Sequence, residues 1–132
     1  MDGNRRLTLT ANDDGTVTAT NRHGVTLTID HEGEHGLSPL ELLLASLGSC
    51  SAVDIALLMR KQREPITPFD IEVVGEKEDA RMQWLRVTYT VPANTDASKL
   101  ERSRSKTADD LCTVSRTLAS GCPVEHVTRA EG

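Results

Sequence analysis

Between Leu40 and Met59 only Glu41 and Asp54 carry charge, and the apolar side chains point in all directions once the segment is wound into a helix. A helix without a polar face must be covered on all sides. Its ends are marked as clearly as its interior. Ser38 is a cap, Pro39 suits the first helical position, and Glu41 stands three places after Ser38 in a capping-box arrangement. Pro65 and Pro68 in REPITP stop the helix, which is expected to end at about Gln62.

The flanking segments are strands. Leu7, Leu9 and Ala11 alternate with Thr8 and Thr10; Val17 and Ala19 continue the pattern, followed by Val25, Leu27 and Ile29. NDDG (12–15) and NRHG (21–24) supply the turn residues of two hairpins, so a three-stranded antiparallel meander with one buried face is expected. DHEGEHGL (30–37) reads as a loop. Phe69 to Lys77 and Met82 to Pro92 form a second hairpin around the charged turn EDAR. A second helix is expected after Asp96 or Ser98, with Leu100, Thr107, Leu111, Val114 and Leu118 on one stripe, and VEHVT as a last short strand. The order is βββαββαβ: an α+β fold with an antiparallel sheet packed on two central helices, as a single domain over residues 1–132. The helix of residues 38 to 62 is too apolar for one small sheet, and a homodimer that shares it is the simplest cover. Ser46, Gly48, Ser49, Ser51 and Ala52 would let another element approach closely around Cys50.

Composition narrows the function classes. The net charge of −5 disfavours a phosphate-tracking surface, and Phe69, Trp84 and Tyr89 are too few to stack bases, so nucleic acid is not an expected partner. No apolar segment of signal-peptide length follows the N-terminal arginines, and no stretch was expected to reach the roughly 20 apolar residues of a membrane span. The reading is cytoplasmic, with no membrane partner. Thiols there are kept reduced, so the three cysteines do not suggest a structural disulfide framework.

Cys50 and Cys112 lie on two different expected helices with no metal-ligand spacing between them. Two readings stand: small buried apolar side chains, or a thiol that reacts paired with a thiol that resolves it. The second requires a thiolate, and Cys50 lies about three turns into its helix, beyond the reach of its dipole, with Asp54 one turn further to oppose ionisation. A cation from elsewhere is then required. Arg116, four residues after Cys112, is the best placed in sequence, ahead of Arg22, Arg60 and Arg63.

SPLELLLASLGSCSAVDIALLMRKQREPITPFDIEV followed by LCTVSRTL resembles the OsmC/Ohr family, the osmotically inducible protein C and organic hydroperoxide resistance proteins, over essentially the whole chain. The resemblance is closest to the less characterised OsmC-like subgroup. It implies an intertwined homodimer with two central helices, an active site at the subunit interface, and reduction of organic hydroperoxides without a cofactor. By the same likeness Cys50 is the peroxidatic and Cys112 the resolving cysteine, with a dithiol as reductant.

Two departures bear on that activity. Family members with hydroperoxide activity carry an Arg in the first hairpin turn and a Glu directly after the helix-opening Pro. Here Asp13 takes the first place and Leu40 the second, with Glu41 one position later, a rotation of about 100°. Glu41 is a candidate catalytic residue by the likeness and a capping-box member by its spacing. The alternative function is a small-molecule or acyl-ligand binding protein that kept the fold and lost the peroxidase chemistry. Cys122, before Pro123, reads as an exposed bystander thiol. His31 and His35 sit in a Gly-rich loop where i,i+4 convergence is not available, and no metal site is expected.

Overall fold

The computed structural model describes residues 3–131. They fall into two compact units, Met1–Ala45 and Ser46–Gly132, each considered in turn.

The first unit is the expected meander: β1 (Thr8–Ala11), β2 (Val17–Thr20) and β3 (Thr26–Ile29), antiparallel in the order β1-β2-β3. Gly15 and Gly24 take the left-handed backbone that closes each hairpin, with φ of 89° and 81°. Asn12 tightens the first, its amide bonding Thr16 Oγ1 and Thr18 Oγ1. The expected buried face is only partly realised. Ala19 and Ile29 are buried, whereas Leu7, Leu9 and Leu27 are 55%, 52% and 45% exposed. α1 (Pro39–Lys61) starts in this unit with the capping box in place: Ser38 N donates to Glu41 Oε1 at 2.9 Å and Glu41 N to Ser38 Oγ at 3.2 Å.

The second unit holds the rest of α1, then β4 (Asp70–Glu78) paired antiparallel with β5 (Arg81–Thr90), so the chain has two separate sheets rather than one. A bulge between Glu76 and Lys77 opposite Trp84 and Met82 leaves Gln83 as the extra residue, and it shifts the inward phase so that alternation is clean only from Leu85. Gly75 is required by close approach: a Cβ there would meet Leu85 Cδ2 and Met82 Cε at 2.6 Å each. α1 rests on β4 through Gly48, where a Cβ would stand 3.0 Å from Val73 Cγ2. Ile55, Met59 and Ile66 form the core, with Phe69, Tyr89, Val91 and Leu100 packed on it. Gln62 ties the end of α1 to the following helix through Ser103 Oγ at 2.6 Å and Lys99 O at 3.3 Å.

Two expectations are corrected here. The second helix is not one stripe but α2 (Ala97–Lys106), a π-helical turn (Thr107–Leu111) and α3 (Thr113–Ser120). Asp96 caps α2 by accepting from Lys99 N at 2.9 Å, while Cys112, with ψ of 106°, leaves helical backbone and restarts the chain as the cap of α3. VEHVT forms no strand and pairs with neither sheet. No stretch was expected to have the apolar length of a membrane span, yet α1 is long and apolar enough, by length and composition, to cross one. Leu47, Gly48, Ser51, Ile55 and Met59 on one of its faces are buried in protein, as in a core helix.

Candidate functional site

The break at Cys112 builds the site. A continuous helix would bury its amides in its own ladder, whereas a new helix start leaves the first N–H groups free to bond something else. The Val114 and Thr113 amides act on the Cys50 sulfur and lower its pKa, and Ser115 N donates to Cys112 Sγ at 3.4 Å. Both thiols therefore sit at one helix N-terminus. Backbone amides stand beside Cys50 and lower its pKa in part.

Cys50 Sγ, Cys112 Sγ and a carboxylate oxygen of Asp54 all lie within 4.8 Å of one another. Cys50 and Asp54 are one turn apart on α1 and half-buried; Cys112 is fully buried. Ser51, also buried, brings its Oγ to 3.4 Å from Cys112 Sγ. Burial is the largest influence on the Cys50 thiol and pushes its pKa above the ordinary value; the amides of Val114 and Thr113 pull it down, and the neighbouring Cys112 raises it further. Desolvation wins at this sulfur. All three cysteines are free, with Cys122 exposed.

Tyr89 and Arg104 complete the surroundings. Tyr89, at the inward end of β5, shares a hydrogen bond with Ser51, and its hydroxyl is pushed up by burial and by the charges of Cys112 and Asp54, against Arg104. Arg104 is held by Glu101 through two bonds of 2.9 and 2.6 Å. Thr107, in the π turn, accepts Cys112 N on its carbonyl at 2.9 Å, yet its own Oγ1 is buried without a hydrogen-bond partner. The sequence marked Ser51 only as a small residue beside Cys50, and gave Tyr89 and Arg104 no role at the site. Tyr89 lies in the alternation Leu85, Val87, Tyr89, Val91, which places its ring on the inward face of β5.

The other sequence candidates lie as follows. Arg116 is exposed on α3 and donates to the Asp110 carbonyl at 3.3 Å; it is not among the main influences on Cys50. It also lines a cavity of about 550 Å³ with Asp109, Thr113 and Cys122. Glu41 is bonded in the capping box, and Asp13 is exposed in the β1–β2 turn. His31 and His35 are exposed in their loop, where Asp30 accepts from His35 N at 3.0 Å. Among the described residues the one convergence of three potential metal-ligating side chains is Cys50, Asp54 and Cys112.

An α+β chain whose long core helix carries one thiol and whose broken second helix presents another defines a class of two-cysteine proteins. The chain belongs to the OsmC-like protein family, whose model matches residues 31–127. It is 22% identical over 100 residues to the protein YhfA of Escherichia coli K12, covering 73% of this chain and 75% of that one. Its fold is that of the OsmC-like protein of Mycoplasma pneumoniae, with a TM-score of 0.80 at 18% identity over 92% of this chain and 91% of the other. The organic hydroperoxide resistance protein OhrB of Bacillus subtilis matches with a TM-score of 0.61 at 18% identity, over 92% and 94% of the two chains.

Proposed function

We propose that this protein is a cytosolic, homodimeric thiol peroxidase that reduces organic hydroperoxides. The observation that carries the reading is the approach of two thiols from different helices to within 4.8 Å, in a family that includes an organic hydroperoxide resistance protein. The Cys50 thiolate attacks the distal oxygen of the hydroperoxide; the O–O bond breaks, the alcohol leaves with a proton, and Cys50 becomes a sulfenic acid. Cys112 then displaces water from that sulfur and closes a disulfide, which an external dithiol reduces back to two thiols. The amides of Val114 and Thr113 favour the thiolate, and Ser51 and Ser115 N orient the second sulfur. Glu41 enters through the helix it caps. Dimerisation is supported by Leu7, Leu9 and Leu27, and by Val53 and Leu57 on α1, 67% and 44% exposed, all apolar surface that a second copy would cover.

The test is turnover of cumene hydroperoxide with a dithiol reductant. Cys50→Ser should abolish it, and Cys112→Ser should allow one turnover followed by over-oxidation of Cys50. Equal rates for the parent and Cys50→Ser would overturn the reading.

A second reading, an OsmC-like protein that binds a small molecule or acyl ligand without peroxidase chemistry, is favoured by one observation. Burial raises the Cys50 thiol and a carboxylate stands beside it, so little thiolate forms near neutral pH. Peroxide consumption that stays absent up to the alkaline range, where the thiol ionises, would select this reading.

A further inference from the structure

We propose that Cys50, Asp54 and Cys112 form a binding site for one thiophilic divalent transition-metal ion of the Zn²⁺ class, held by two thiolates and one carboxylate with a fourth position open. The inference does not depend on the peroxide reading, because a protein without that chemistry would still hold the ion.

The donor set is the first argument. Two thiolates select soft or borderline cations over Mg²⁺ or Ca²⁺, and a carboxylate oxygen is a common third ligand of zinc. Geometry is the second. Zn–S bonds of about 2.3 Å and Zn–O bonds of about 2.1 Å put the ligand atoms of a tetrahedral ion roughly 3.5–3.8 Å apart, and these three atoms already lie within 4.8 Å of one another. Rotamer adjustment of about 1 Å closes the set. Cys50 and Asp54 share one face of α1 a turn apart, so a single helix presets two of the three ligands.

The outer contacts are the third argument. Ligating sulfurs are held and tuned by hydrogen-bond donors behind them. Cys50 has the Val114 and Thr113 amides, and Cys112 has Ser115 N and Ser51 Oγ, each at 3.4 Å from its sulfur. Cys112 is fully buried while Cys50 and Asp54 are half-buried, so the ligand set is partly accessible to solvent. Binding deprotonates the thiols and releases their protons to solvent, with no change of oxidation state. A Cys50–Cys112 disulfide removes two of the ligands, so oxidation would expel the ion.

Co²⁺, which reports tetrahedral thiolate coordination by its visible and near-ultraviolet bands, is the probe. The reduced full chain should show one Co²⁺ per chain with thiolate-to-cobalt charge transfer, displaced by Zn²⁺. Cys50→Ser should abolish the bands. Asp54→Asn, a half-exposed position that leaves the helix intact by circular dichroism, should weaken binding by more than about 100-fold, the upper end of what loss of an outer-shell partner costs a metal site. Absence of charge transfer in the fully reduced protein overturns the proposal, as does a spectrum and affinity that Asp54→Asn leaves unchanged. Peroxide turnover is read separately, so loss of one activity with retention of the other tells which proposal has failed.

Discussion

Ser51 Oγ lies 3.4 Å from Cys112 Sγ, so a buried hydroxyl in the middle of α1 is bonded to the thiol that opens α3. The same hydroxyl is shared with Tyr89 on β5, which makes Ser51 the point where three elements of the site meet. Ser51→Ala removes both bonds and leaves the Tyr89 hydroxyl without this partner. Loss of about 1–2 kcal/mol is expected, read as a lower urea midpoint at unchanged slope.

The pH dependence follows from burial of Cys50. Its folded pKa lies above the unfolded value, so the native state holds the proton longer. Below the unfolded thiol value of about 8.5 its contribution to stability is fully present, and it is lost as pH rises through the folded value. The urea midpoint should fall on the alkaline side of about pH 8.5, and Cys50→Ser should flatten that fall. In a Cys122→Ser background, alkylation of Cys50 should keep accelerating with pH beyond the point at which a free thiol levels off.

The start of α1 rests on reciprocal bonds between Ser38 and Glu41. Ser38→Ala leaves the Glu41 amide without its acceptor, and about 1 kcal/mol should be lost on thermal or urea unfolding, with Ser38→Asp largely restoring it.

Thr107 presents the opposite case. Its Oγ1 is buried without a hydrogen-bond partner, so Thr107→Val exchanges an unsatisfied hydroxyl for a methyl group of similar volume. Stability should rise by about 1 kcal/mol. A fall of that size in the urea midpoint would mean that the hydroxyl has a partner in solution.

How much of this was legible in the sequence differs by element. α1 was read almost to the residue, because Ser38, Pro39, Glu41 and the later prolines fix its ends by local chemistry. The three hairpins were legible for a similar reason, as the turns NDDG and NRHG and the charged turn EDAR sit between apolar runs. The break between α2 and α3 was not. Leu100, Thr107, Leu111 and Leu118 keep a helical period across it, and Cys is a weak cap that gives no warning, so the interruption is settled by what packs around Cys112. That break brings the backbone amides of Val114 and Thr113 to bear on Cys50, which no local signal in the sequence marked. VEHVT failed as a strand because alternation alone supplies no neighbour to pair with.

That Cys50 and Cys112 act as a redox pair is tested most directly by mass spectrometry of the reduced protein after one equivalent of cumene hydroperoxide. The expected product is a Cys50–Cys112 disulfide within one chain, with Cys122 still a free thiol. Recovery of Cys50 and Cys112 as unlinked thiols, or linkage of either one to Cys122 instead, would contradict it.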